Sequence, residues 1–323
     1  MGDDDTVFFV ENLVSVLGKY DHTQMYYIGS NSESVEQDLI HSYATAYGGG
    51  GYAISYPLAA ELVRILDGCV DRYDSLYGGD QKVQACVSEI GVPLTNEHGF
   101  HQVDIRGNQY GFLAAHPVAP LVSLHHVDYL PAIFPAMTKL DALKTLKTVH
   151  DLDPGRTLQQ SFCYDSARNW SVSVSWGYSV RLYPRLVTPK EMEKNFQTFQ
   201  TWKSWTDGPF TFNTRPVGPD PCEMPLVFFL DPVVGPNQTV TGYMKHVDVW
   251  ERECGRDEFQ AAQDVERFQV VTSGQLSAAT WMKAPRRQCC QVVDGTTTNG
   301  GGVDSVVNVH IRGCNPFETV TPP

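Results

Sequence analysis

Met1-Gly2-Asp3-Asp4-Asp5-Thr6-Val7-Phe8-Phe9-Val10 opens the chain, and the fold of everything after it depends on how this stretch is read. Three carboxylates stand directly before an apolar run, so they lie at the edge of something buried. Oxygen-only ligands of this kind suit Mg²⁺ or Mn²⁺, ions that in turn hold diphosphates. Taken alone, the motif reads more readily as a solvated acidic terminus or a helix N-cap, and its surroundings have to decide.

Outward from the acidic motif, residues 9–19 put Leu13, Val14 and Leu17 on one helical face, and residues 25–29 form a short buried strand closed by Gly29. Gly48 to Gly51 leads into a strand over Tyr52-Ala53-Ile54-Ser55. Pro57 then opens a helix carrying Leu58, Leu62, Ile65 and Leu66 at helical spacing. A further helix runs from Asp80 to about Ile90 with Val83 and Val87 on one face. This alternation predicts an α/β region over residues 1–150.

Past a boundary at 145–160, around Asp153-Pro154-Gly155, the texture becomes mainly β through residue 323. Val172, Val174, Trp176, Tyr178, Val180 and Leu182 alternate strictly and predict one half-buried strand. Thr188-Pro189-Lys190-Glu191 is a capping box with proline at the first helical position, followed by the apolar stripe Met192, Phe196, Phe199 and Trp202, which reads as core. Strand-like runs follow at 225–230, 240–249 and 303–311, with a loop over Gly295–Gly302.

Composition narrows the function classes. A net charge of -13 without a Lys/Arg cluster disfavours a nucleic-acid groove, which needs a concentrated positive field. No apolar run approaches the roughly 18 to 20 residues that span a bilayer, so the sequence as written reads as a soluble polypeptide. Eight cysteines without a CxxC pair suit disulfides rather than zinc. The sequons Asn169-Trp170-Ser171 and Asn237-Gln238-Thr239 point to the same secretory compartment.

Three further groups can carry chemistry. Gly48-Gly49-Gly50-Gly51 permits close backbone approach by a sugar or phosphate, or is a flexible turn. Gly78-Gly79-Asp80 sets a carboxylate at a helix N-terminus, where it is either a proton acceptor or an ordinary cap. Cys69 and Cys86 bracket it, and a bridge between them would limit its motion. His98, His101, His116, His125 and His126 crowd into one segment, densest in Ser123-Leu124-His125-His126-Val127-Asp128. An imidazole there can complete a carboxylate-bound metal site, although any single one is more often structural.

In order and spacing, Gly2-Asp3-Asp4-Asp5-Thr6, Gly48 to Ser55, Gly79-Asp80 between two cysteines, and Ser123 to Asp128 resemble the fringe and core-1 β1,3-galactosyltransferase superfamily, glycosyltransferase family 31. That likeness covers residues 1 to about 135. The pattern of the plant fringe-related proteins of unknown function, the group it resembles most, continues through Ala284-Pro285-Arg286-Arg287-Gln288-Cys289-Cys290.

The resemblance implies a GT-A (Rossmann-like) glycosyltransferase domain entered at its DxD motif and followed by a mainly β, family-specific region. Asp3, Asp5 and His125 match the Mn²⁺ ligands. Asp3, Asp4, Asp5, Gly49, Gly50, Gly51 and His101 match the surroundings of the UDP-sugar, with His101 as the alternative ligand. Asp80 matches the catalytic base, and Gly79 stands where the family usually has another acid.

The implied reaction is inverting transfer of a hexose or N-acetylhexosamine from UDP-sugar to a glycan or glycoconjugate hydroxyl, in a β1,3 linkage, by a type II membrane protein of the Golgi lumen. Relatives of this kind place uridine-binding βαβ units and an anchor ahead of the DxD motif. The resemblance therefore implies that this chain lacks them and is incomplete as a transferase. The alternative is a catalytically silent glycan-binding or scaffold protein. A metal-dependent hydrolase would need a second acid motif that the sequence does not display.

Overall fold

The computed structural model describes residues 1–231, 240–246, 254–293 and 306–323. The sequon at Asn237 and the loop Gly295–Gly302 lie outside the described residues, as do the ends of two expected strands, 247–249 and 303–305.

The first region runs β1 (Val7–Phe8), α1 (Val10–Leu17), β2 (Tyr27–Gly29), α2 (Val35–His41), β3 (Tyr52–Ile54), α3 (Tyr56–Arg72), α4 (Gly79–Ile90), β4 (Leu94–Asn96), β5 (Ile105–Gly107), α5 (Tyr110–Leu113), β6 (Ser123–Leu124) and α6 (Lys139–Leu152). Its sheets are small. β2 lies between antiparallel β3 and parallel β4, and β1 pairs with β6. In α1 the inward face differs from the expected one: Val14 is 65% exposed, while Val16 and Asn12 are buried. Asn12 faces inward because its amide donates to the carbonyls of Leu121 and Pro154, both at 2.9 Å, so a polar residue takes a core position with its donors satisfied.

The second region contributes β7 (Gln160–Asp165), β8 (Trp170–Ser175), β9 (Ser179–Tyr183), α7 (Pro189–Met192), β10 (Asn195–Phe196), β11 (Phe199–Thr201), β12 (Thr214–Arg215), β13 (Leu226–Leu230), β14 (Val240–Lys245), α8 (Asp257–Gln263), β15 (Arg267–Thr272), α9 (Ala278–Trp281), β16 (Cys289–Val293) and β17 (Val306–Arg312). Among the described residues, eight of these strands close a barrel in the order β13-β14-β15-β17-β16-β7-β8-β9. Closure removes the sheet edge that would otherwise template aggregation. Cys163–Cys290 links β7 to β16, and Cys289–Cys314 ties β16 to the chain beyond β17. Cys222–Cys254 and Cys69–Cys86 complete the set, leaving no free cysteine.

Two expected elements take a different form. The single strand through Val172 and Leu182 is a hairpin, β8 and β9, turning at Trp176-Gly177-Tyr178, where Gly177 has φ of +75°. Three residues separate the paired Ser175 and Ser179, so the alternation passes through the turn without changing phase. Both faces of the hairpin are buried: Val172, Val174, Val180 and Leu182 pack in the main core, and Arg181 on the other face reaches the carbonyl of Ala114. The expected capping box does not form, since the Thr188 side chain makes no cap bond, and only the one-turn α7 follows. The stripe starts at Met192, the last residue of α7, and bends through β10 and β11; Met192, Phe196 and Phe199 are core, but Trp202, just past β11, is not. Helical spacing cannot separate these cases, because a turn between short strands also brings residues three and four apart to one side.

Helix α6 ends at Leu152 and β7 begins at Gln160, yet one apolar cluster crosses that junction, joining Phe9, Leu124 and Val149 to Val172, Phe228 and Ile311.

Candidate functional site

Pairing of β1 with β6 sets Val7 opposite Leu124 and Phe8 opposite Ser123, which carries Asp5 and His125 to the same end of the ladder. A tight turn folds the acidic motif back: the amide of Asp3 donates to Thr6 Oγ1 at 2.7 Å, and Thr6 Oγ1 donates to the carbonyl of Gly49 at 2.9 Å. His125 Nε2 then lies 3.0 Å from Asp5 Oδ1 and 3.9 Å from Asp3 Oδ2. Asp4 is exposed and makes no hydrogen bond or ion pair with this cluster.

Hydrogen bonding fixes the His125 tautomer. Its Nδ1–H donates to the carbonyl of Gln102 at 2.9 Å, since a carbonyl can only accept, and this leaves Nε2 as the atom turned toward the carboxylates, by its lone pair whenever the ring is neutral. A lone pair facing carboxylate oxygens is repulsive unless a cation or proton stands between them, and a ring N–H on a backbone carbonyl is the usual support for a metal-bound histidine. His126, at φ of +56°, donates Nδ1–H to Val103 O at 3.3 Å. Burial, and next the neighbouring His125, push its pKa down to about 4, which keeps the ring neutral. Asp5, His125 and His126 present ligand atoms within 4.8 Å of one another. Carboxylate oxygens with imidazole nitrogens make a donor set that fits a divalent cation.

The glycine run is shaped by this cluster. A Cβ at Gly49 would fall on the His125 ring, so only glycine lets the backbone lie flat against the imidazole. Gly51 has φ of +80°, and a Cβ there would stand 2.6 Å from the Phe8 ring. Gly50 donates to Gln102 Oε1 at 2.7 Å. Gly48 donates to Asp80 Oδ2 at 2.9 Å, and a Cβ there would meet Asp3 Oδ1 at 3.3 Å and Asp80 Oδ2 at 3.5 Å. The expected base and the acidic motif are therefore neighbours across one glycine.

Asp80 occupies the first turn of α4, where its other oxygen accepts from the Gln81 amide at 2.8 Å. The Cys69–Cys86 bridge, with Cα atoms 5.8 Å apart, fastens α4 to α3. Gly79 is exposed, with nothing within 4 Å of where its Cβ would be.

His101 does not join the cluster, which corrects its expected place as the alternative ligand there. It is 4% exposed and both ring nitrogens are engaged: Nδ1 lies 3.2 Å from Glu33 and Nε2 2.9 Å from His116 Nε2. His116 donates Nδ1–H to the carbonyl of Pro117, so its Nε2 accepts from His101 Nε2–H, and His101 Nδ1 must accept from Glu33. Glu33 is then a neutral carboxylic acid. Burial pushes its pKa up to about 7 and that of His101 down to about 3, in agreement with the bonding.

Glu33 Oε2 also accepts from the Asp104 amide at 3.3 Å. One buried acid thus grips both ends of the strap 101–104, whose middle carbonyls orient His125 and His126.

Glu33, Gln102, Arg106 and Trp202 escaped the sequence reading. Only Trp202 had left a trace, in the apolar stripe, and its ring lies flat on His126, 4.1 Å between centroids and 8° from parallel. Two cavities lie elsewhere among the described residues. One of about 900 Å³ lies beside the barrel at Tyr110, Phe134 and Phe229, and one of about 720 Å³ is lined by Glu33, His101, His116, Asn195 and Arg287. Neither is lined by Asp3, Asp5, Asp80 or His125, whose cluster sits at the surface with the Asp3 side chain 57% exposed.

Fold and site together define a disulfide-linked protein in which a mixed α/β region presents a carboxylate–histidine cluster beside a closed β-barrel. Residues 37–290 match the family described as DUF604, a protein of unknown function, and the chain belongs to that family. The matched span takes in Gly48–Gly51, Asp80, His125, Trp202 and the barrel strands as far as β16. No curated protein matches the chain.

Proposed function

We propose that this chain is an inverting, metal-dependent glycosyltransferase whose α/β region belongs to a GT-A domain and whose family is the plant fringe-related group. The observation that carries the reading is the convergence of Asp5, Asp3 and a tautomer-fixed His125 within reach of Asp80 across Gly48. Asp3, Asp5 and His125 would hold Mn²⁺, with His126 beside them. The ion would offset charge growing on a departing UDP. Asp80, both of whose oxygens accept backbone N–H bonds while keeping a free lone pair, takes the proton of the attacking acceptor hydroxyl. One displacement at the anomeric carbon inverts it. Four disulfides, and Asn169 exposed in the turn between β7 and β8, support a secretory-lumen setting.

The test is Mn²⁺-dependent release of UDP from a panel of UDP-hexoses and UDP-N-acetylhexosamines. It is run on this chain. Release should fall by about 100-fold or more in Asp80→Asn and in Asp5→Ala, the range for removing a base or a charge-stabilising group. Equal turnover in both variants sinks the assignment. Metal and glycan binding without UDP release under any donor would favour the silent glycan-binding alternative instead.

A further inference from the structure

Trp202, Trp205, Tyr129 and Arg106 make a platform that the metal and base roles leave unused. Trp205 is 57% exposed and Tyr129 53%. The Arg106 guanidinium sits 4.4 Å from the ring centre of each tryptophan and 5.5 Å from that of Tyr129, and it donates to the carbonyl of Trp202 and to the Tyr129 hydroxyl. The loop that carries the tryptophans is pinned. Glu36 Oε1 accepts from the amides of Lys203 and Ser204 at 2.9 and 3.0 Å, and Trp205 N donates to the carbonyl of Thr201 at 3.2 Å. Large apolar rings held rigid in water mark a surface shaped for a ligand.

We propose that this platform is a subsite for a pyranose ring of an oligosaccharide acceptor. The inference rests on the transferase reading of the neighbouring cluster. A pyranose offers one face of C–H groups and a rim of hydroxyls, which matches flat indole and phenol faces edged by polar groups. The Tyr129 hydroxyl accepts from Arg106 and so keeps its own proton to donate to a sugar oxygen. Position selects the acceptor over other occupants. Trp202 lies flat on His126, and His126 packs on His125 at a tilt of 31° with centroids 3.7 Å apart, so the platform continues the same row of rings that begins at His125, over Gly49. His125 and His126 stand between Asp80's side of that row and the platform. The ring held on the tryptophans is therefore not the one bearing the attacking hydroxyl but its neighbour in the same glycan.

Lactose, cellobiose and chitobiose serve as probes, with binding read by saturation-transfer NMR and by tryptophan fluorescence. At least one should bind, with transfer strongest to the C–H groups of a single ring. Its affinity should fall at least tenfold in Trp205→Ala and return in Trp205→Phe, while far-UV circular dichroism stays unchanged. Absence of binding by all three, or equal binding by Trp205→Ala, overturns the subsite. Mn²⁺ binding, followed by electron paramagnetic resonance on the same samples, separates the two ideas. Mn²⁺ bound with no disaccharide removes the platform and leaves the transferase reading standing. Disaccharide binding that depends on Trp205, with no Mn²⁺ bound, sinks the metal assignment and leaves a glycan subsite.

Discussion

The strands before residue 150 are two or three residues long, and those of the barrel run from five to seven. The barrel closes on itself and holds both Cys163–Cys290 and Cys289–Cys314. The α/β region instead joins its short strands through side chains: an asparagine bonded to two distant carbonyls, a buried acid gripping a strap, and a glycine under an imidazole. This division assigns stability mainly to the barrel and chemistry mainly to the looser region, whose chain start and ring stack are adjusted to each other at contact distance. It also makes the site dependent on packing that crosses into the barrel, since the two share one core.

The sharpest way to break this division is to unlink the barrel. Cys163 and Cys290 are separated by 127 residues, and constraining so long a loop is worth about 4–5 kcal/mol in the unfolded-chain picture. Cys163→Ala with Cys290→Ala should lower global stability by about that amount in guanidinium titration. A loss under about 1 kcal/mol would show that the barrel does not need the link and that the shared core alone carries it.

The next effect is a pH dependence centred in the α/β region. Glu33 and Asp104 both have pKa values pushed up to about 7, by burial above all, from ordinary values of 4.5 and 3.8. A raised carboxyl pKa favours the neutral form in the fold. The stability that goes with it is therefore complete below pH about 4 and is lost as pH rises through 7, by roughly 3 kcal/mol for a shift of this size. Glu33→Gln keeps an acceptor for the Asp104 amide and a donor for His101, so it should flatten part of this slope. Thermal melts from pH 4 to 8 that superimpose for the two proteins would remove Glu33 as the titrating group.

Gly49→Ala tests the close approach itself. Its Cβ must displace the His125 ring, so Mn²⁺ affinity should drop at least tenfold by electron paramagnetic resonance, with a stability cost of about 1–3 kcal/mol. Unchanged metal affinity would mean that the ring is not held by the glycine.

The smallest effect belongs to Gly79. Nothing stands near its missing Cβ and it begins α4, so Gly79→Asp should be neutral or stabilising by about 0.3–1 kcal/mol through the helix dipole. Destabilisation beyond 1 kcal/mol would reveal crowding against Asp80.

Periodicity and local punctuation determined a good deal. Pro57, Gly78 and the spacing of Leu58 and Leu62 marked α3 and α4, and the even cysteine count pointed to disulfides that the structure contains. The acidic motif, the glycine run, Asp80 and the His125-His126 pair were legible as candidates because each is a local pattern of unusual residue types. Their convergence was not, because it rests on β1 pairing with β6 across more than a hundred residues. Folding a strand onto a distant partner is a choice of register, and a one-residue slip would turn Asp5 away from His125.

The same holds for what was read wrongly. Val14 and Trp202 carry apolar side chains at helical spacing, and only their neighbours in space decide that one faces water and the other stacks on a histidine. The role of His101 was set by Glu33 and His116, which bind both its nitrogens. Residue type and spacing thus determined which groups were available for chemistry. Tertiary structure decided which of them meet, because hydrogen-bond direction, burial and the space left by a missing Cβ are properties of pairs that the chain brings together only when folded.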